Sequence, residues 1–200
     1  MKKLKITLMT SVCLVLAAGV STAQEIKFGI EGGIAAAELG AANTAQQFAN
    51  LTGRTVSYTE EGAALAGRIF VEYGVSDNIS AEVGYFVTSN LDANYSFSGT
   101  AATAHEGASA NGIDLGAKFK ATDEIFFRAG IHFSDLNQNA NVKIGNTTYV
   151  AAVANQSGTG TYFGGGFNVF ENASVGITQY MDLGGVSGAD ATFLFVGYKF

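Results

Sequence analysis

The sequence contains no proline and no tryptophan, and its single cysteine, Cys13, lies close to the N-terminus. Without proline, nothing along the chain forbids an uninterrupted sheet ladder. Without a second cysteine no disulfide can hold the fold, so stability must come from a core or from a lattice of backbone hydrogen bonds. Basic residues are scarce, 11 against 17 acidic for a net charge of −6. That balance does not suit nucleic acid, whose binders are basic. A phosphate-cradling glycine loop, a cysteine pair and a zinc-type histidine spacing are all missing, so no motif asks for a cofactor or a metal. Downstream of the N-terminal segment no stretch sustains a helical period, and the class expected is all-β.

What is present begins with an export signal. Lys2, Lys3 and Lys5 precede a short apolar run, residues 6–20, and Ser21-Thr22-Ala23 supplies small residues for cleavage between Ala23 and Gln24. This is the three-part layout of a secretory signal peptide, residues 1–23. The run is shorter than the roughly 20 apolar residues a transmembrane helix needs. Residues 24–200 are then one domain of 177 residues, with 8 basic and 17 acidic side chains. Cys13 leaves with the signal.

The rest of the chain alternates apolar and polar residues with a period of two, the mark of a strand with two unlike faces. Eight such segments occur, at residues 25–35, 64–75, 79–88, 110–120, 125–134, 159–169, 173–181 and 191–200. Short turns lie near Asp77, Asp123 and Glu171, spaced 46 and 48 residues apart. Long connections are expected at 36–62, 89–109 and 135–158, with a shorter one through Gly184, Gly185 and Gly188. A hairpin repeated at a nearly fixed period points to a regular closed array.

Alternation alone does not say which face is inside. The strands approach the 9–11 residues that a tilted strand uses to cross a bilayer. Short turns at one end and long loops at the other match an outer-membrane barrel. Glycine gathers on the polar face, as expected in an eight-stranded interior only just wide enough for side chains. The same face carries Lys27, Arg68, Lys118, Arg128 and Lys199 against Glu31, Glu72, Glu82, Asp114 and Asp182. An uncompensated charge in a narrow lumen costs about 3–5 kcal/mol, so equal numbers of each sign suit an interior ion network. No Lys or Arg falls on the apolar face, where each would cost about 2–4 kcal/mol at mid-bilayer. Phe193 and Phe195 also fall on the lumen side, where they do not suit a polar interior.

The signal peptide, the eight alternating strands, the short Asp-Asn and Asp-Glu turns and the ending FVGYKF together resemble the small OmpA/OmpX-type outer-membrane barrels of Gram-negative bacteria. The resemblance implies an eight-stranded antiparallel up-and-down transmembrane β-barrel with short periplasmic turns and long extracellular loops. It implies residence in the outer membrane among lipid and lipopolysaccharide. It also implies a terminal strand ending in Tyr198 and Phe200 that the barrel-assembly machinery reads as a sorting signal. The expected role is non-enzymatic, structural or surface-interacting (adhesion or envelope integrity), with host or surface ligands met through the loops. There Tyr95 and Phe97 either form a patch for adhesive contacts or, as loop aromatics more often do, pack on the rim. A narrow porin-like channel for small solutes is the alternative. Less expected is a lipid A-modifying hydrolase. His132-Phe133-Ser134-Asp135 has a His-x-Ser spacing similar to that of the lipid A deacylases, but His132 and Ser134 share the polar face, away from the lipid such an enzyme cleaves. In the lumen, His132 is expected to bond Arg128 or Asp114.

Overall fold

The computed structural model describes residues 25–200 apart from 152 and 154. The expected signal segment, with Cys13, lies outside the described residues. The elements in chain order are β1 (Ile26–Ala36), α1 (Ala41–Thr52), β2 (Val56–Glu60), β3 (Ala63–Ser76), β4 (Ile79–Thr88), β5 (Leu91–Phe97), β6 (Thr103–Lys120), β7 (Ile125–Ile144), β8 (Thr147–Ala151), β9 (Gln156–Asn168), β10 (Ala173–Met181) and β11 (Ala191–Lys199). Eight of these strands close a wholly antiparallel ring in the order β1-β3-β4-β6-β7-β9-β10-β11. The ring shuts where β11 pairs with β1, Gly29 opposite Lys199 and Ala36 opposite Thr192. No helix among the described residues is long and apolar enough to cross a membrane; the strands are what can cross.

Alternation dictates the two surfaces. Ile30, Leu65, Ile69, Phe127, Ile131, Phe163, Ile177, Leu194 and Val196 are large, apolar and exposed around the outside of the ring. Such a continuous apolar belt has no place in water and is the lipid-facing surface of a membrane barrel. The inward row includes Arg68, Glu82, Asp114, Arg128 and His132, all buried. Phe193 and Phe195 belong to that inward row too. The lumen is not uniformly polar: Phe86, Phe126, Tyr162, Tyr180, Phe193 and Phe195 form a buried aromatic cluster within it.

On β6 and β7 the outer surface changes character at one register step. The outward pairs Phe119–Phe127, Leu115–Ile131 and Ile113–Phe133 are apolar, whereas Asn111–Asp135, Ser109–Asn137 and His105–Asn141 are polar. Above that step the strands leave the apolar belt and continue as a five-stranded sheet, β2-β5-β6-β7-β8.

The connections therefore differ from the expected loops. Residues 36–62 hold α1 and β2, residues 89–109 hold β5 and the start of β6, and residues 135–158 hold the far half of β7 together with β8. Small Ala, Asn, Ser and Thr side chains mask alternation without preventing backbone pairing. α1 is a helix where none was expected. It is bounded by Gly40 and Gly53, both left-handed at φ 73° and 65°, and the Gly53 N–H caps it by donating to the Ala49 carbonyl. Ala41 and Ala45 pack on Ala93, Tyr95 and Ala104 of the sheet, with Phe48 and Phe97 alongside. In β6, Ala104 and Asp114 are an even number of residues apart, so α1 covers the face that continues the lumen wall.

Candidate functional site

The lumen is the candidate site, and every ring strand contributes to it. At its centre Arg68 makes a two-pronged contact with Asp114, Nε to Oδ2 at 2.8 Å and Nη2 to Oδ1 at 2.7 Å. The two residues come from β3 and β6, with β4 between them. The reach is possible because Gly84 stands between: a Cβ there would lie 2.5 Å from Arg68 Nε and 2.8 Å from Asp114 Oδ1. Arg128 repeats the device three strands further round the ring. It leans from β7 across β9, where Gly164 is its neighbour, and its Nε donates to Thr178 Oγ1 of β10 at 2.8 Å.

Glu31 of β1 joins the two arginines. It accepts from Arg128 Nη1 at 2.6 Å and Nη2 at 3.1 Å, and from Arg68 Nη1 at 3.4 Å. Glu82 approaches Arg68 Nη2 at 3.4 Å, and the Tyr180 hydroxyl donates to Asp114 at 3.2 Å. Aromatic faces complete the coordination, with Phe70 4.9 Å from the Arg68 guanidinium and Phe195 4.4 Å from that of Arg128. Phe195 thus fits the lumen because arginine, unlike a hydrated ammonium, packs on aromatic rings, and Phe193 fits because it packs on Phe195 at 5.7 Å within the buried aromatic cluster.

A second cluster lies toward the short-turn end. Glu72 accepts from Ser80 Oγ at 2.9 Å and faces Lys118 Nζ at 3.4 Å and Lys199 Nζ at 3.5 Å. Phe126, whose ring lies 4.2 Å from Lys118 Nζ, helps line the open vestibule of about 730 Å³ around this cluster. Glu31, Glu72, Glu82 and Asp114 with Arg68, Lys118, Arg128 and Lys199 balance four against four. Lys27 lies on the same inward row at the partly exposed rim of that vestibule, where it pairs with Glu25 at 2.9 Å. The remaining charge assigned to the lumen lies elsewhere. Asp182 has left the strand: it sits at φ 58° beyond the end of β10, and its Oδ1 accepts from Gly188 N–H at 3.1 Å. The strand periodicity that points Asp182 inward stops at Met181, where the left-handed backbone of Asp182 turns the chain.

Toward the long-connection end the segment 182–190 folds inward, with Leu183 and Gly184 buried. His132 and Ser134 hold it there. His132 Nε2 lies 2.8 Å from the Met181 carbonyl, an acceptor, so this nitrogen carries the proton. Nδ1 is then free to accept from Ser134 Oγ at 3.1 Å, and Ser134 Oγ in turn accepts from Gly184 N–H at 2.9 Å. These partners replace the expected Arg128 or Asp114. Of the two readings of Tyr95, adhesive patch or packed aromatic, the structure shows the second: it is 1% exposed. Its hydroxyl bonds Glu106 and its ring meets Phe48 edge-on at 5.3 Å. Burial, then Glu106, pushes that hydroxyl well above the ordinary tyrosine value. At the C-terminus Tyr198 and Phe200 point outward and meet edge-on at 5.1 Å, and the Phe200 N–H donates to the Phe28 carbonyl at 2.8 Å. No grouping of His, Cys, Asp and Glu among the described residues could hold a metal ion.

The sequence matches no protein-family model and no curated protein. Solved structures do match. Ail, the attachment invasion locus protein of Yersinia pestis, aligns with 88% of this chain and 99% of its own at 10% identity, TM-score 0.53. The same protein in complex with the heparin analogue sucrose octasulfate aligns over the same shares at 11% identity, TM-score 0.51. The outer membrane protein OprG from Pseudomonas aeruginosa aligns with 88% of this chain and 97% of its own at 11% identity, TM-score 0.47. The chain has the fold of the small OmpA/OmpX-type outer-membrane barrels, with its short turns at the periplasmic end and its helix-bearing sheet at the extracellular end.

Proposed function

We propose that the protein is a non-enzymatic outer-membrane barrel that serves the envelope structurally and meets its surroundings through its extracellular cap. The observation that carries this reading is the filled lumen. Between the vestibule and Leu183 the ring is spanned by the two arginines, their carboxylates and the aromatic cluster, all buried, which supports a closed barrel. Planar-bilayer recording of the refolded barrel tests it. No steady conductance is expected; sustained currents abolished by altering Arg68 or Glu72 would overturn the reading in favour of a narrow channel.

The catalytic alternative draws no support from the His132–Ser134 pair, since both side chains are buried and already bonded to the inward-folded segment. Loss of a lipid-hydrolysing activity on replacing both with Ala would revive it. Residues 1–23 are read as the export signal, which N-terminal sequencing of the membrane-bound protein checks, expecting Gln24 first. Tyr198 and Phe200 are read as the assembly signal.

The surface ligand differs in kind from a polyanion such as the one bound to Ail. The segments that build the cap and the inward fold carry only Arg54 and Lys143 as cations, against Glu38, Glu60, Glu61, Asp92, Glu106, Asp135, Asp182 and Asp190. An acidic cap repels sulfated chains and favours neutral or cationic partners.

A further inference from the structure

The register step on β6 and β7 leaves an outward face with no role in the barrel. Immediately above Ile113 and Phe133, the last apolar outward pair, the same two strands present Asn111, Asp135, Asn137, Asn139 and Asn141 on one continuous surface. With a rise of 3.2–3.4 Å per residue, this ladder climbs roughly 20 Å along the strands from the edge of the lipid belt. Its side chains are partly pre-set. Asn137 Nδ2 donates to Asn111 Oδ1 at 3.0 Å, and Asn141 Nδ2 lies 3.4 Å from His105 Nδ1. Beside them Asp92 Oδ1, buried against the bare Gly107, lies 3.3 Å from His105 Nε2 and accepts no hydrogen bond among the described residues.

From this face we infer that the asparagine ladder binds the outer sugars of glycolipid in the surrounding outer leaflet, those beyond the acylated disaccharide, an inference that rests on the outer-membrane reading above. Continuity decides the location. Whatever lipid lies against Ile113 and Phe133 must carry its headgroup past Asn111 and Asn137. Chemistry decides the class. Each carboxamide offers two donors and an acceptor, which suits arrays of hydroxyls that must be met in both senses. Phosphate recognition calls for arginine or lysine, and the ladder has only Lys143 beyond its far end. A protein partner would seek aromatic anchors, and none stands among these asparagines.

The experiment places the mature chain in phospholipid vesicles with lipopolysaccharide of full core or with lipid A alone. It compares how much of each copurifies with the wild type, with the triple variant N137A/N139A/N141A and with N139A alone. The expected result is several-fold preferential retention of the core-bearing lipopolysaccharide over lipid A, weakened in N139A and lost in the triple variant, while both variants keep the heat-modifiable compact band. Equal retention of the two lipids, or a preference unchanged in the variants, overturns the inference and leaves the face to a protein partner. A preference abolished by chelating divalent cations also overturns it, because metal-bridged phosphate would then be the ligand. A wild-type chain that never forms the compact band in vesicles refutes the membrane reading itself.

Discussion

Arg68 has no water to fall back on: its guanidinium is fully buried among three carboxylates. Removing it leaves Glu31, Glu82 and Asp114 facing one another with only Arg128 to compensate, and breaking such a buried network costs about 3–5 kcal/mol. R68L is therefore expected to lower the urea midpoint of the refolded barrel, measured from the fraction of compact band on unboiled gels. An unchanged midpoint would mean that water reaches the centre of the lumen. Gly84 offers a second check, because it contributes to the same contact only by being small. G84V puts a branched side chain where Arg68 Nε now passes, and is expected to destabilise by a comparable amount although it removes no charge. The charges at the centre were legible in the sequence because they alternate with apolar residues. Their pairing was not, since Arg68 and Asp114 are 46 positions apart and meet only across an intervening strand.

The strands β4 and β10 could be read from the sequence to the residue, because Ile79–Thr88 and Ala173–Met181 alternate without a break between clear turns. α1 could not. Its buried positions, Ala41 and Ala45, are small, so its apolar face hardly stands out; the flanking Gly40 and Gly53 are the only signal the sequence carries for its ends. That helix explains the burial of Tyr95, and it gives the cap a pH limit. Folding favours the neutral hydroxyl, raising its folded pKa above the unfolded value. The stabilisation is thus fully present below the ordinary tyrosine pKa and is lost as pH rises through the elevated folded value. In spectroscopic titration of tyrosinate the wild type should show one more late-ionising group than Y95F, and the ionisation of that group should coincide with loosening of the cap. β11 makes a different kind of contribution. Phe200 adds one backbone hydrogen bond, worth about 1 kcal/mol, and its ring is 71% exposed on the lipid side. Deleting it is expected to leave the refolded barrel almost as stable but to cut its outer-membrane yield several-fold. Normal yield would show that the terminal residue is not the assembly signal.

At the scale of the molecule there are two cores with different owners. The lumen cluster around Tyr162, Tyr180 and Phe195 is built from ring strands and the inward-folded segment 182–190, whereas the cap cluster around Ala45, Tyr95 and Ala104 needs α1. The ring closes without the cap. β1 and β3 remain paired up to Ala36 and Ala63, so α1 and β2 are an insertion at the tip of a hairpin whose ends already meet. Shortening that connection reduces the entropy lost on closing it, a change of about 0.6 kcal/mol per halving of its length. Replacing residues 39–60 with a tight turn is thus expected to preserve the heat-modifiable band and the urea midpoint to within about 1 kcal/mol. The cost is confined to the extracellular sheet, where Tyr95 and Phe97 lose their cover and β5 becomes an unpaired edge, so limited proteolysis should now cut between β5 and β6. Loss of the compact band on this excision would mean that the cap is part of the folding unit. Its preservation would place the barrel and the structure that meets the outside under separate energetic control, leaving the cap free to vary while the charge-balanced lumen stays fixed.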